Sequence, residues 1–148
     1  MISFQSKELL ETSIQPFIIP SEKVAHVQMG NSLEHALLLL TKSGYSAIPV
    51  LDPRFHFHGL ISSPLITDSI LGLERIEFEK LDQKKVEDVM NRTVPTIKVN
   101  SQFQQALTLL IDHPFLCVVD DVNYFEGILT RRSILKELTK QLHTNKKQ

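Results

Sequence analysis

The sequence lacks a second cysteine, an excess of charge of either sign, and any long hydrophobic run. Its single cysteine, Cys117, has no intramolecular disulfide partner and lies within the apolar run FLCVV. We therefore expect a buried core thiol with no redox role.

Charge and hydropathy argue against two broad classes of partner. With 16 basic and 17 acidic residues, the chain offers no overall positive field for a nucleic acid polymer. No apolar run reaches the roughly 18 residues that span a bilayer, and the opening MISFQSKELL has no basic region ahead of an apolar core. These absences predict a cytoplasmic protein that binds neither nucleic acid nor a membrane.

What is present is an ordinary globular composition with an internal repeat. The 148 residues, 42% of them hydrophobic, are enough for one compact domain with a core. An apolar run ending in Asp52 is followed by a turn and Gly59, and a second run ending in Asp120 is followed by a turn and Gly127. Both pairs are 68 residues apart, which indicates that one structural unit occurs twice.

A helix is predicted before each apolar run. N-cap residues at 31–32 and 100–101 precede apolar stripes with helical spacing. Short strand candidates come before them, at 24–27 and 93–97.

A second helix closes each repeat. These helices are expected to begin near Pro64 and Ser133, after the strands that contain Gly59 and Gly127. The sequence thus predicts an α/β (α+β) fold of two βαββα units. By residue number we expect a helical N-terminal segment (1–15), a first motif (16–72), an amphipathic connector (73–85), a second motif (86–140) and a frayed tail (141–148).

The doubled order resembles a tandem CBS module over about residues 16–140. The strings GYSAIPV at 44–50 and FEGILTRR at 125–132 carry this resemblance. The strings EKVAHV, LEHAL and GLERIEFEKLD are further similar to those of stand-alone two-CBS proteins of Gram-positive bacteria that bind cyclic di-AMP. The resemblance implies two CBS motifs packed with pseudo-twofold symmetry into one Bateman module. It also implies a non-catalytic second-messenger receptor that binds cyclic di-AMP between the motifs and regulates partner proteins according to ligand state.

The resemblance places the base of the ligand against the first strand and the loop before the second strand. The matching positions are Lys23, Val24, Ala25, Gly44, Tyr45, Ser46 and Ala47. Gly44 also follows a predicted helix, so that a C-cap is its simplest role. Tyr45 either flanks a purine or is a half-buried aromatic at the entrance to a strand.

The phosphate side is predicted at the start of the last helix. The candidate residues are Ile128, Thr130, Arg131 and Arg132. Backbone donors at a helix start and guanidinium groups both bind phosphate. Which arginine contacts the ligand stays open, and so does the alternative that the pair is a solvated surface feature.

The chain departs from the pattern of many AMP- or ATP-binding CBS motifs. Those motifs place an Asp three residues after a Thr or Ser, where it holds the ribose hydroxyls. Here Thr130 is followed by Ser133, and Ser62 by Leu65. The departure favours cyclic di-AMP, and sensing of AMP or ATP remains the alternative. The loop at 112–115 is bulkier than Gly44–Ala47, so one working cleft per chain is expected.

An enzyme and a metal site have little support. His56 and His58 would share one face of a strand, but no third ligand with suitable spacing lies nearby. No nucleophile elbow, P-loop or dinucleotide fingerprint occurs, so no catalysis, metal or cofactor is predicted.

Protein partners are expected from two sources. The run of four leucines at 37–40 has too many apolar faces for a half-exposed helix, which predicts a homodimer. The resemblance implies two clients, the stringent-response (p)ppGpp synthetase/hydrolase and pyruvate carboxylase. An interaction module with vestigial clefts remains a further alternative.

Overall fold

The computed structural model describes residues 4–146, and its contacts divide the chain into two compact units. The first-repeat unit comprises Ala25–Val94 and Val122–Phe125. The second-repeat unit comprises Met1–Val24, Pro95–Asp121 and Glu126–Gln148. Each repeat shows the predicted order of strand, helix, strand, strand and helix.

The first-repeat unit contains a three-stranded sheet with strand order β2-β3-β4. Strand β2 is parallel to β3, and β3 is antiparallel to β4. Its elements are β2 (Val27–Gln28), α2 (Leu33–Ser43), β3 (Ala47–Leu51), β4 (Phe57–Ser62) and α3 (Ser63–Ile70).

Helix α2 follows directly from local sequence. Ser32 is its N-cap and accepts a hydrogen bond from the His35 N–H at 3.1 Å. Gly44 is its C-cap, with φ 77°, and its N–H donates to the Leu40 carbonyl. The buried stripe Leu33, Ala36 and Leu40 packs on the sheet, so the predicted helix and both of its ends are confirmed.

The second-repeat unit contains a four-stranded sheet with strand order β1-β7-β6-β5. Strand β5 is parallel to β6, and β1 is antiparallel to β7. Its elements are α1 (Phe4–Leu10), β1 (Ile19–Pro20), β5 (Thr96–Lys98), α4 (Phe103–Leu110), β6 (Phe115–Val119), β7 (Phe125–Thr130) and α5 (Arg131–Lys146). Cys117 is buried in its core, as predicted, and burial raises the pKa of the thiol.

Several predicted boundaries were wrong by a few residues. The strand expected at 24–27 lies at Val27–Gln28, and residues 24–26, which follow a 3₁₀ turn at Ser21–Lys23, are not part of a strand. The strand expected at 93–97 lies at Thr96–Lys98. Helix α4 takes Gln102 as its N-cap, with the Gln102 N–H donating to Gln105 Oε1 at 2.9 Å, instead of residues 100–101.

The last helix also differs from its predicted extent. Helix α5 begins at Arg131, two residues before the expected start near Ser133, with Thr130 as its N-cap. It continues to Lys146, so residues 141–146 are helical where a frayed tail was expected, and residues 147–148 lie outside the described residues. No helix within residues 4–146 is long and apolar enough to cross a membrane.

A repeated glycine lies under another segment of chain in each unit. At Gly127, Pro20 lies opposite in the β1–β7 pairing, and an added Cβ would overlap the Ile19 carbonyl oxygen. At Gly59, an added Cβ would lie 2.6 Å from the Asn91 carbonyl oxygen. The segment that leads into each repeat therefore packs on the other repeat's last strand, and glycine is what permits the approach.

We predict that Gly127→Ala destabilises the chain more than Gly44→Ala. The first change places a methyl group against backbone, and overpacking of this kind costs about 1–3 kcal/mol. The second places a methyl group in open space, so its only cost is that alanine must adopt the left-handed conformation, about 1 kcal/mol. Urea denaturation of both variants measures the difference, and equal losses would contradict the packing role of β1.

Candidate functional site

The base-side candidates of the first repeat lie together at the entrance to β3. Gly44, Tyr45 and Ser46 are exposed, and the Tyr45 N–H donates to Ser43 Oγ at 3.3 Å. Ala47 opens β3 and lies opposite Ser62 at the end of β4. The four residues therefore form an accessible, short-side-chain edge with one aromatic ring, which suits the flat face of a base.

Ser62 is a candidate that the sequence prediction omitted. It lies 68 residues before Thr130, the spacing of the repeat, which was the signal available. Its hydroxyl caps α3 by accepting from the Leu65 N–H at 3.3 Å. Ser62 is therefore a half-buried hydroxyl beside Ala47, next to the exposed Tyr45.

The three candidates at 23–25 do not lie on a strand. Lys23 is exposed at the end of a 3₁₀ turn, and Val24 is buried, with its N–H donating to the Ser21 carbonyl. Ala25 is half-buried against the core of the first-repeat unit. Of the three, Ala25 belongs to the same unit as Gly44–Ala47.

The phosphate-side candidates lie at the start of α5 in the second-repeat unit. Thr130 Oγ1 accepts from the Ser133 N–H at 3.0 Å and lies 2.8 Å from Ser133 Oγ. The Arg131 N–H donates to the Pro114 carbonyl. Two of the backbone donors expected to bind phosphate are thus already engaged within the protein. Ile128, also predicted, is buried opposite Ile19.

The two arginines differ in what they contact. Arg131 Nε donates to the Leu110 carbonyl at 2.9 Å, and its guanidinium also reaches the Ile111 carbonyl at 3.4 Å. These are orphan carbonyls at the end of α4, where a cation is favoured by the helix dipole. Among the described residues, Arg132 has no hydrogen-bond or ion-pair partner. Arg132 is therefore the guanidinium available to a ligand, and contact by Arg131 stays a prediction.

A groove of about 560 Å³ runs along the first two turns of α5. It is lined by Arg131, Arg132, Leu135, Lys136 and Thr139. Three of these residues carry positive charge, and the N-terminal end of a helix adds a positive dipole. The groove is therefore suited to an anion with an apolar portion. Whether it joins the Tyr45 edge in one cleft stays a prediction.

The two histidines considered as a metal foothold instead surround a carboxylate. His58 Nε2 and His56 Nδ1 lie 2.9 and 3.3 Å from Asp52 Oδ2. The His58 hydrogen bond, together with donation from the backbone N–H groups of His56 and Arg54, holds the pKa of Asp52 well below its usual range. Within residues 4–146, no group of three or more His, Cys, Asp or Glu is arranged to hold a metal.

Comparison with known proteins identifies a matching family and a similar protein. The family model described as CBS domain matches residues 18–69 and 86–140. Cyclic di-AMP receptor B of Bacillus subtilis (strain 168) is 54% identical over 144 residues, which is 97% of this chain and 98% of that protein.

Solved structures agree in fold. The CbpB protein of Listeria monocytogenes in complex with c-di-AMP is 59% identical, with a TM-score of 0.80 over 86% of this chain and 95% of that one. A more distant neighbour, CBSX2 in complex with AMP, is 25% identical, with a TM-score of 0.71 over 87% of this chain and 97% of that one.

We predict that Arg131→Met lowers the stability of the free protein and that Arg132→Met does not. The first change leaves the Leu110 and Ile111 carbonyls without their charged donor, at a cost of about 1 kcal/mol. The second removes a side chain without a described partner. Thermal melts of both variants without ligand provide the measurement, and equal melting temperatures would contradict the assignment.

We predict that Asp52→Asn lowers the melting temperature at neutral pH. Because the folded-state pKa of Asp52 is depressed, its carboxylate stabilises the fold above the ordinary pKa of about 4, and this stabilisation is lost as the pH falls. The difference between wild type and variant should therefore shrink between about pH 5 and 3. Melts across this range, with the exposed Glu11→Gln as control, provide the test; a difference independent of pH would contradict the linkage.

Proposed function

Because the chain belongs to the CBS domain family, we propose that it is a receptor for cyclic di-AMP that regulates partner proteins according to ligand state. It performs no chemistry on its ligand. The observation that carries the proposal is the start of α5, where Arg132 has no partner among the described residues and Lys136 lies one turn further along the same groove. A phosphodiester is an anion that a guanidinium and a neighbouring ammonium bind through charge-assisted hydrogen bonds.

The helix starts also argue for a ligand with no free ribose diol. Thr130 and Ser62 both use their hydroxyls as N-caps. Three residues after each of them, where nucleotide-binding CBS motifs place a carboxylate for the ribose, the chain has Ser133 and Leu65. A 3′,5′-linked cyclic dinucleotide has its 3′-oxygens tied into the ring and presents no such diol.

The base of the ligand would lie at the Tyr45 edge. There the side chains of Gly44, Ser46 and Ala47 are small enough for close approach, and Ser62 supplies a hydroxyl beside them. Adenine has donors and acceptors on its edge and a flat apolar face, so backbone groups and the Tyr45 ring would recognise both. We propose one such base site per chain, and we propose Arg132 as a phosphate contact.

Regulation of a partner requires that ligand-free and ligand-bound forms bind that partner with unequal affinity. We propose that the ligand-free form engages the partner in the cytoplasm and that the receptor acts as a homodimer. The stringent-response (p)ppGpp synthetase/hydrolase and pyruvate carboxylase are the first clients to test.

A second candidate function is AMP or ATP sensing. The similarity to CBSX2 in complex with AMP supports it, because the same fold holds a mononucleotide in that protein. The missing carboxylates at Leu65 and Ser133 weigh against it.

Calorimetry with cyclic di-AMP, AMP and ATP, each titrated into the full chain, distinguishes the two functions. We predict that cyclic di-AMP binds at least tenfold more tightly than either mononucleotide, which is a difference of about 1.4 kcal/mol. Tighter binding of AMP or ATP would overturn the ligand assignment.

We further predict that Arg132→Met weakens cyclic di-AMP binding by about tenfold or more, since a charge-assisted hydrogen bond to phosphate is lost. The matched control is Arg54→Met, which removes an exposed guanidinium outside the groove and should bind normally. Equal affinity of Arg132→Met and wild type would exclude Arg132 from the site.

A further inference from the structure

The turn between β3 and β4 is hydrogen-bonded to the turn between β6 and β7. The Phe125 N–H donates to the Phe55 carbonyl at 2.9 Å, and the Phe57 N–H donates to the Asn123 carbonyl at 3.1 Å. Asn123 Nδ2 in turn donates to the Phe57 carbonyl at 2.7 Å. We call the contact of residues 52–57 with residues 122–125 the latch. Both segments belong to the first-repeat unit, so the latch joins the corresponding turns of the two repeats within that unit.

Phe55 has an unfavourable backbone conformation in the latch. Its φ is 68°, in the left-handed region that a bulky residue rarely adopts. Its ring packs edge-on against His26, and its centroid lies 5.3 Å from that of Tyr124 and 6.0 Å from that of Phe125. Backbone strain of this kind persists only where the surrounding contacts impose it. The latch is therefore a segment that other contacts must hold closed.

Asp52 supplies contacts of this kind from the start of the turn. Its carbonyl accepts from the Phe55 N–H at 2.9 Å, and its N–H donates to the His56 carbonyl at 3.0 Å. Its carboxylate oxygen Oδ1 accepts from the backbone N–H groups of Arg54 and His56. The other oxygen, Oδ2, faces the imidazoles of His56 and His58. One side chain thus holds both residues that flank the strained Phe55.

The two imidazoles can bind this carboxylate in two protonation states. A carboxylate only accepts, so each ring must donate from the nitrogen that faces Oδ2. A neutral ring therefore carries its proton on Nδ1 in His56 and on Nε2 in His58, and its other nitrogen has a lone pair that can take a second proton. The side chains of both histidines are 31% exposed and that of Asp52 is 22% exposed, so water reaches the cluster.

Protonation converts these hydrogen bonds into ion pairs. Imidazoles ordinarily bind a proton near pH 6.5. The hydrogen bond from His58, together with the backbone hydrogen bonds, holds the pKa of Asp52 well below its usual range, so the carboxylate stays charged where histidine titrates. Two imidazolium rings repel each other, and the carboxylate bound to both offsets that repulsion. The attraction is therefore present at low pH and is lost as the pH rises past about 6.5.

The elements around the latch add charges of both signs. On the segments packed against it, the ionisable side chains are those of His26, Asp120, Asp121, Tyr124 and Glu126. Three of these are carboxylates, and a carboxylate favours the protonated form of a nearby imidazole. Arg54 on the turn and Arg92 beside β4 are opposing charges, and both are exposed. Helices α2 and α3 pack on the face of β4 that carries Ile61, whereas His58 lies on the other face.

We propose that Asp52, His56 and His58 form a pH-sensitive switch, which closes the latch more tightly when the histidines are protonated. Strands β4 and β7 both begin at the latch, and their last residues are Ser62 and Thr130. The switch therefore acts on the starts of the two strands whose ends carry helix caps. It does not depend on the ligand assignment, so the two are tested separately.

Amide hydrogen exchange measures closure of the latch directly. After correction for the intrinsic chemical rate, the Phe57 and Phe125 N–H groups of wild type should exchange about three- to tenfold more slowly at pH 6 than at pH 8. The Gly44 N–H, which is bonded at a helix end outside the latch, should show no such change. The variant His56→Gln/His58→Gln should lose the pH dependence, because glutamine donates a hydrogen bond and never carries charge.

Further variants separate this switch from a general effect of histidine. The matched control His35→Gln/His143→Gln removes two exposed imidazoles elsewhere and should keep the pH dependence of wild type. Asp52→Asn, which removes the anion, should lose it. Equal protection at both pH values in wild type, or an undiminished pH dependence in His56→Gln/His58→Gln, would overturn the proposal. If the double variant does not fold, the single variants His56→Gln and His58→Gln decide, and an undiminished pH dependence in both would likewise overturn it.

Discussion

The close approach of backbone at Gly127 is the constraint on which the arrangement of the second repeat depends. Only a residue without Cβ lets the Ile19 carbonyl lie against β7, and the two-residue strand β1 completes the four-stranded sheet there. Residues 19–20, which precede the first repeat in sequence, therefore belong to the second-repeat unit. Gly59 and Asn91 repeat the arrangement in the first-repeat unit, which explains why both glycines recur at a spacing of 68 residues.

At the start of α5, some residues stabilise the fold and a neighbouring residue is left for the proposed ligand. Thr130 caps the helix, the Arg131 N–H satisfies Pro114, and the Arg131 guanidinium satisfies the end of α4. These three contacts fix the position of the helix start. Arg132, the next residue, is what remains for a ligand. Arg131, through its structural contacts, thus positions Arg132, and Arg132 would lose no described contact on binding phosphate as proposed.

Local signals predicted the repeated order and the caps at Ser32 and Gly44, because each depends on residues within one or two turns. The sequence could not predict β1, whose two residues carry no pattern and pair with residues more than 100 positions away. The different roles of Arg131 and Arg132 were equally hidden, since they depend on carbonyls about 20 residues back. The strand predicted at 24–27 began too early, because residues 24–26 have the composition of a strand while the ladder with β3 begins only at Val27.

Helix α3 joins the Tyr45 edge to the hairpin that follows it, at residues 71–76, within the first-repeat unit. Its N-cap, Ser62, lies opposite Ala47 at the Tyr45 edge, and the carbonyl of its last residue, Ile70, accepts a hydrogen bond from the Glu77 N–H. Eight helical residues span only about 12 Å, so the two ends of this element are close. A ligand at the Tyr45 edge and a partner at the hairpin would influence each other only if binding of each changed the position of α3, and any such influence would be equal in both directions.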